Sequence, residues 1–385
     1  MTKRDPRMDF FRGIAIFVIF ISHLPDNSWE LWTPARWGFS DSAEIFVFCS
    51  GLASGLAFGS IFAHCGQFIG SARVLYRAWQ IYWAHICLFF ATVGTVTLIQ
   101  LSGWVSNDYI ERLNLWPFFQ DPLFSLPALL TLTYVPNLFD ILPLYVVLIA
   151  LIAPMMLVHS LIGRLGVFLL VFYLWIIANL GFLNLPAEPW SDRPWFFNPF
   201  AWQLLFFTGF AFMRGWLSAP PRSNSLILLS ILILFMSIPF ASFRFTLAYP
   251  ALAYSAELIE PLTSKTDMGL LRLLHFLALA YLAWRAVGEG GKRLLMGGLG
   301  GKLVAMIRKV GEQSLATFLA SIYLGQLIAI GRDSFFNLDQ EMLLTTGLET
   351  EAWETIISNL IGFIALIAVA YLAGWFKAKP WKKPS

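Results

Sequence analysis

Charge is scarce in this sequence of 385 residues: Asp, Glu, Lys and Arg together make only 13%, against 58% hydrophobic residues. A chain with that balance cannot give itself a water-soluble surface, which excludes soluble globular, disordered and nucleic-acid-binding classes. No nucleic-acid partner is therefore expected. Cysteine is scarcer still. Cys49, Cys65 and Cys87 stand at spacings that suit neither a disulfide framework nor a metal site, so they read as small packing residues and no metal is expected. No GxxxxGKS or GxxxxGKT phosphate loop, internal repeat or interdomain linker occurs. The start, MTKRDPRMDFFRG, runs into an apolar segment without a small-residue cleavage pattern, so that segment is expected to stay in place as a membrane helix.

What the chain has instead is a succession of long apolar runs, with a mean hydropathy of +0.69. Several reach the ~20 residues that cross a hydrocarbon core as a helix. The fold class expected is an all-α polytopic membrane protein, one integral domain over residues 1–385. About ten transmembrane helices are expected near 9–24, 42–63, 79–101, 139–160, 164–183, 200–217, 224–242, 268–287, 311–330 and 354–376. Residues 125–134 suit a short extra helix, and 243–267 a long, partly apolar loop with room for a re-entrant segment. With both termini cytoplasmic, 19 of the 26 basic residues fall inside, the Lys377–Lys383 tail among them, and 19 of the 23 acids fall outside. Lys/Arg asymmetry of that kind sets orientation.

The first apolar run, DFFRGIAIFVIFISHLP, carries Arg12 and His23 with ten residues between them. That offset is three helical turns plus roughly 20°, so both lie on one face roughly 16 Å apart along the axis. Asp9, three before Arg12, can pair with its guanidinium. An ionisable group inside a membrane helix is expensive and is a functional candidate by default. The second run, DSAEIFVFCSGLASGLAFG, holds a ladder of Gly51, Gly55 and Gly59 that admits a closely packed helix. Glu44 rides near that ladder. In an antiparallel hairpin it sits at the depth of His23, with Asp41 close by, and a carboxylate beside a His is what a general base needs. Catalytic candidates are therefore His23, Glu44 and Asp41.

Farther on, Arg73 and Arg77 share a helical face with Gln80. Together with Arg12 and Asp9 they form a set at the inner mouth that suits phosphate groups; snorkelling explains the arginines equally. Asp140, Lys265, Arg272 and His275 lie near outer span ends. They either hold a substrate or make buried ion pairs with one another and with Glu260. The outer loops, such as PDNSWELWTPARWGFS with its Arg36 and Trp37, present indoles among carboxylates, as a sugar-binding groove does and as an aromatic belt at the membrane surface also does. The glycine-rich, basic stretch 288–312 reads either as a cradle for an anionic cofactor or as an ordinary positive-inside loop. His85 and Tyr82 read as packing and interface groups.

Asp9, Arg12 and His23 at this spacing, with GFSDSAEIFVFCSG, RVLYRAWQIYWAH, DILPLY and KTDMGLLRLLH in the same order, resemble the OpgC branch of the membrane acyltransferase superfamily. The likeness spans most of the chain. It implies an enzyme of the bacterial inner membrane that moves a short acyl group from acyl-CoA, succinyl-CoA or acetyl-CoA, to a hydroxyl of a periplasmic glucan or related glycan. The donor would enter from the cytoplasm against Arg12, Arg73 and Arg77, and His23 would serve as base. Asp140, Lys265, Arg272, His275, Trp37 and Arg36 would face the substrate. Membrane lipids are the other expected partners, and homo-oligomerisation stays open. Two other classes fit the same residues: a proton-coupled or anion transporter using the intramembrane His, Glu and Arg groups, and a structural subunit of a glucan-synthesis complex.

Overall fold

Proline at the first helical position and an Asp5 side chain that accepts from the Arg7 backbone N–H start helix α1, Pro6–His23. The computed structural model describes residues 5–104, 108–336 and 350–382. Lys3, Arg4 and Lys383 of the inner basic set lie outside these described residues. α1 stops at Leu24, whose extended backbone leads into Pro25. Two short 3-10 turns, Ser28–Trp32 and Pro34–Arg36, then carry the chain to α2, Ser42–Ser102.

At 61 residues α2 would measure about 90 Å if straight, three times a hydrocarbon core of about 30 Å. Gly66 breaks it, with φ 78° and ψ −179°, a conformation essentially reserved for glycine. Phe62 closes onto Gly70 across the break: a carbon built on Gly70 would fall 2.4 Å from the Phe62 ring. Two limbs, 42–65 and 67–102, therefore replace a single rod. They contain the two spans expected at 42–63 and 79–101, and Arg73 and Arg77 lie on the second limb, on helix as their spacing implies.

The remaining long helices are α3 (Ile141–Ile162, bent at Leu151), α4 (Arg164–Asn179), α5 (Pro199–Met213), α6 (Asn224–Ala241), α7 (Leu270–Ala286), α8 (Gly298–Glu312), α9 (Ser314–Phe336) and α10 (Thr350–Ala378). The ten expected segments overlap helix, although 164–183 and 200–217 run past the ends of α4 and α5 and 311–330 straddles the break at Gln313, and no strand is present among the described residues. Among the described residues, five helices are long and apolar enough to cross a membrane: α2, α3, α6, α9 and 353–378 of α10. A sixth is added if α7 and the turn Glu289–Leu295, bent by 69°, count as one span. α4 and α5 are shorter, and α1 carries Arg7, Asp9 and Arg12. The chain is thus a multi-pass helical membrane protein. The short helix expected at 125–134 is Pro122–Leu130, and 243–267 folds into three short helices, Phe243–Ala248, Pro250–Leu258 and Glu260–Thr263.

Close backbone approach knits the core. A carbon on Gly51 would fall 2.0 Å from the Phe206 carbonyl oxygen, and one on Gly55 2.8 Å from that of Phe210. The ladder of the first α2 limb is therefore the seat of α5, as small-residue spacing predicts. α1 packs on α2, α8 and α9. The basic, glycine-rich stretch is not a loop: 298–312 is the amphipathic helix α8, lying along α1.

Candidate active site

The start of α2 meets the loop 263–269 and the start of α7, and His23, at the end of α1, lies within the field of Lys265 and Asp41. A capping box opens α2: the Asp41 side chain accepts from the Ala43 N–H at 2.7 Å, and Glu44 Oε2 accepts from the Asp41 N–H at 2.7 Å. Each carboxylate also takes a cation from the far end of the sequence. Lys265 Nζ donates to Asp41, and Arg272 donates to Glu44 Oε1 at 2.9 Å. Glu44 is wholly buried, and only 12% of the Arg272 side chain is exposed. Burial alone would raise the Asp41 carboxyl, but Lys265, the Ala43 N–H and Glu44 hold it below the usual carboxylate range. The charge of Lys265 also reaches Asp140, at the start of α3. Lys265 and Arg272 make ion pairs with Asp41 and Glu44 instead of Asp140 or Glu260, and the Arg272–Glu44 pair is the buried one.

Four side chains, Trp202 and Asn198 buried and Trp175 and Asn179 half-buried, clamp the loop that delivers Lys265. Trp202 Nε1 donates to the Lys265 carbonyl at 2.8 Å, Trp175 Nε1 to the Met268 carbonyl at 3.0 Å, and Asn179 to the Asp267 carbonyl at 2.8 Å. Asn198, buried at the start of α5, donates to Asp267 Oδ1 at 2.9 Å. Met268 is held in the left-handed region at φ 47°, and a chain so over-determined keeps the ammonium in one place.

His23 closes α1 beside this pair. Its Nδ1 is buried and meets no hydrogen-bond partner among the described residues, while the charges of Lys265 and Asp41 both reach the ring. Glu44, expected to orient His23, makes no hydrogen bond to it; its oxygens serve the capping box and Arg272. Asp41 is the carboxylate whose charge acts on the imidazole. The arrangement offers an imidazole free to take a proton, a carboxylate to steady the imidazolium, and two fixed cations. His275 is engaged by a residue the sequence did not single out: its Nδ1 lies 2.7 Å from Ser40 Oγ. Gly38 leaves room for that ring, since a carbon there would fall 2.2 Å from His275 Nε2. Trp37 and His275 line a cleft of about 370 Å³ against α6, apolar apart from the imidazole. Arg36 pairs with Glu30, and Trp37 stands beside Arg244, whose guanidinium also lies over Trp32 and Phe243.

The phosphate-type set is not gathered in one place. Arg12 is buried, donates to the Cys49 carbonyl at 3.1 Å and keeps an unpartnered Nε, with buried Asp9 one turn before it. Arg73 and Gln80 are exposed on the second α2 limb, and Arg77 donates to Gln80 at 3.1 Å. Ser40, Asn198 and Trp202 escaped the sequence reading. Asn198 before Pro199 does read as a helix cap, but nothing local announces its grip on Asp267.

A family model described as OpgC protein matches residues 4–378. No curated protein and no solved structure matches the chain.

Proposed function

Because the chain belongs to the OpgC family, and with it carries a membrane acyltransferase-like role on glucans, we propose that it is an acyl-CoA-dependent O-acyltransferase of the bacterial inner membrane. It moves a short acyl group, succinyl or acetyl, from cytoplasmic acyl-CoA to a hydroxyl of a periplasmic glucan or other envelope glycan. The observation that carries this reading is His23, a histidine with a buried, unpartnered Nδ1 beside the Asp41–Lys265 pair.

The neutral imidazole takes the proton of the acceptor hydroxyl as that oxygen bonds the thioester carbonyl carbon. The carbon–sulfur bond breaks, and the proton passes to the leaving thiolate. Asp41 steadies the imidazolium, and Lys265 and Arg272 face the developing oxyanion or the far carboxylate of a succinyl group. On the donor side the exposed Arg73 and Gln80, with half-buried Arg77 between them, receive the phosphates of coenzyme A. On the acceptor side Asp140, His275, Trp37 and Arg36 meet the sugar. Ten crossings with both termini cytoplasmic agree with 19 of 26 basic residues lying inside.

The test is thioester turnover by the detergent-purified protein with succinyl-CoA and acetyl-CoA, wild type beside His23→Ala. Turnover that falls about a hundredfold or more in the variant is expected of a lost general base. Undiminished turnover in a folded variant removes His23 from the chemistry. No turnover by wild type, with saturable anion binding, turns the reading to transport.

A further inference from the structure

The second limb of α2 buries one stripe: Val74, Ala78, Ile81, His85, Leu88, Thr92 and Val96, at the three- and four-residue spacing of a helix face. It is apolar except at two places. His85 is fully buried and neither of its ring nitrogens meets a hydrogen-bond partner among the described residues; Thr92, 1% exposed and two turns on, has an unpartnered hydroxyl. Leaving such groups unpaired costs about 1–3 kcal/mol each. A packing role would have been filled more cheaply by Leu and Val. Two orphans on one face point to something polar that comes and goes.

Its chemistry follows from the surroundings. The buried residues that flank it on this helix, Ile81, Ile86, Leu88 and Phe89, are apolar, and a low-dielectric wall of that kind disfavours a charged partner. A neutral imidazole has one N–H and one lone-pair nitrogen, the complement of an amide, which offers one C=O and one N–H. The Phe139 ring lies edge-on to His85 at 6.1 Å, and the next residue is Asp140, within the field of Lys265. Coenzyme A has such a section: the uncharged arm between its phosphates and its thioester carries two amides.

We propose that His85, with Thr92 beside it, binds the amide-bearing arm of the acyl donor as it passes through the bundle. The inference rests on the acyl-CoA reading above. It makes these two residues positioning groups that hold the thioester in register with His23.

The experiment compares wild type with His85→Phe and Thr92→Val, using succinyl-CoA, acetyl-CoA and an amide-free donor, the succinyl thioester of mercaptoethanol. In His85→Phe, kcat/KM for the acyl-CoA that wild type uses is expected to fall about tenfold to a hundredfold, as two neutral hydrogen bonds are worth. The amide-free donor should change less than about threefold on the same argument, and the melting temperature should hold or rise because an orphaned polar group is gone. Thr92→Val, nearly isosteric, should show the same donor dependence at smaller size. Equal losses with both donors, full activity with both, or a melting temperature lowered by His85→Phe and unaccompanied by any donor dependence in Thr92→Val would each overturn the inference. Wild type that turns over no thioester would sink the acyltransferase reading itself, whereas failure of this inference leaves wild-type turnover intact.

Discussion

At the scale of single residues, the two ion pairs at the His23 end differ in burial, and this sets what each is worth. Glu44 is wholly buried and Arg272 nearly so, whereas Lys265 keeps 31% of its side chain exposed. Removing one partner of a buried pair strands the other charge, at about 3–5 kcal/mol. Arg272→Met should therefore lower the melting temperature in detergent far more than Lys265→Met, and the double variant Glu44→Gln/Arg272→Met should recover most of the loss. Activity should separate the roles the other way: Lys265→Met folds but loses turnover, because Lys265 shares a field with His23. Equal melting shifts for the two single variants would show that burial does not rank these pairs. The polar residues themselves were legible in the sequence, since Asp41, Glu44, Lys265 and Arg272 stand out against an apolar background. Who pairs with whom was not, because the partners lie 224 and 228 residues apart and local spacing carries no information at that range. His85 reads as a packing group, and its unpartnered ring nitrogens were hidden for a related reason. Its helix face was evident, but whether two ring nitrogens find partners depends on what packs there from elsewhere.

At the scale of elements, the glycines of the first α2 limb were the most readable feature, because four-residue spacing of small side chains has one main use in an apolar helix. The expected partner was unnamed; it is α5, whose backbone takes the space that a side chain would fill. Gly51→Val should therefore prevent folding to a monodisperse species, read by size-exclusion in detergent. Gly94→Val on the second limb should leave the profile unchanged, because a carbon at Gly94 meets nothing within 4 Å. If both variants run alike, the ladder does not seat α5. Arg73 and Arg77 read correctly as sharing a helical face, but the expected spans stop at 63 and resume at 79 because two arginines and a glutamine interrupt the apolar pattern between them, although 67–102 continues as helix through them. Helix propensity and hydropathy are different signals, and Arg and Gln are good helix formers that score as breaks only on the second. Gly66, the actual break, was unremarkable in composition. Likewise the basic stretch 288–312 reads as a loop from its glycines, yet its second half keeps a helical apolar face that α1 covers.

At the scale of the whole molecule, what the sequence made plain was that the chain is helical and membrane-bound, while the number of crossings came from its apolar runs and their sides from charge asymmetry alone. The fold makes that topology testable through its own cysteines. Cys65 is exposed immediately before the Gly66 turn, Cys87 is exposed on the second limb, and Cys49 is buried. On the proposed topology the Gly66 turn faces the cytoplasm, and Cys87, within the span near 79–101, faces lipid. A thiol in hydrocarbon scarcely ionises, and only the thiolate reacts. A membrane-impermeant maleimide should therefore label Cys65 in inverted vesicles and not in right-side-out ones, and should leave Cys87 unlabelled in both. Ser28→Cys, in a background with the three native cysteines replaced by Ala, should show the opposite sidedness, because Ser28 is exposed in the turn that follows His23. That pair of outcomes puts the Gly66 turn and the His23 end on opposite sides, which a donor from the cytoplasm and an acceptor from the periplasm require. Labelling of Cys65 and Ser28→Cys from the same side would place both on one surface and remove the geometric basis for transfer across the membrane, whatever the turnover of the purified protein.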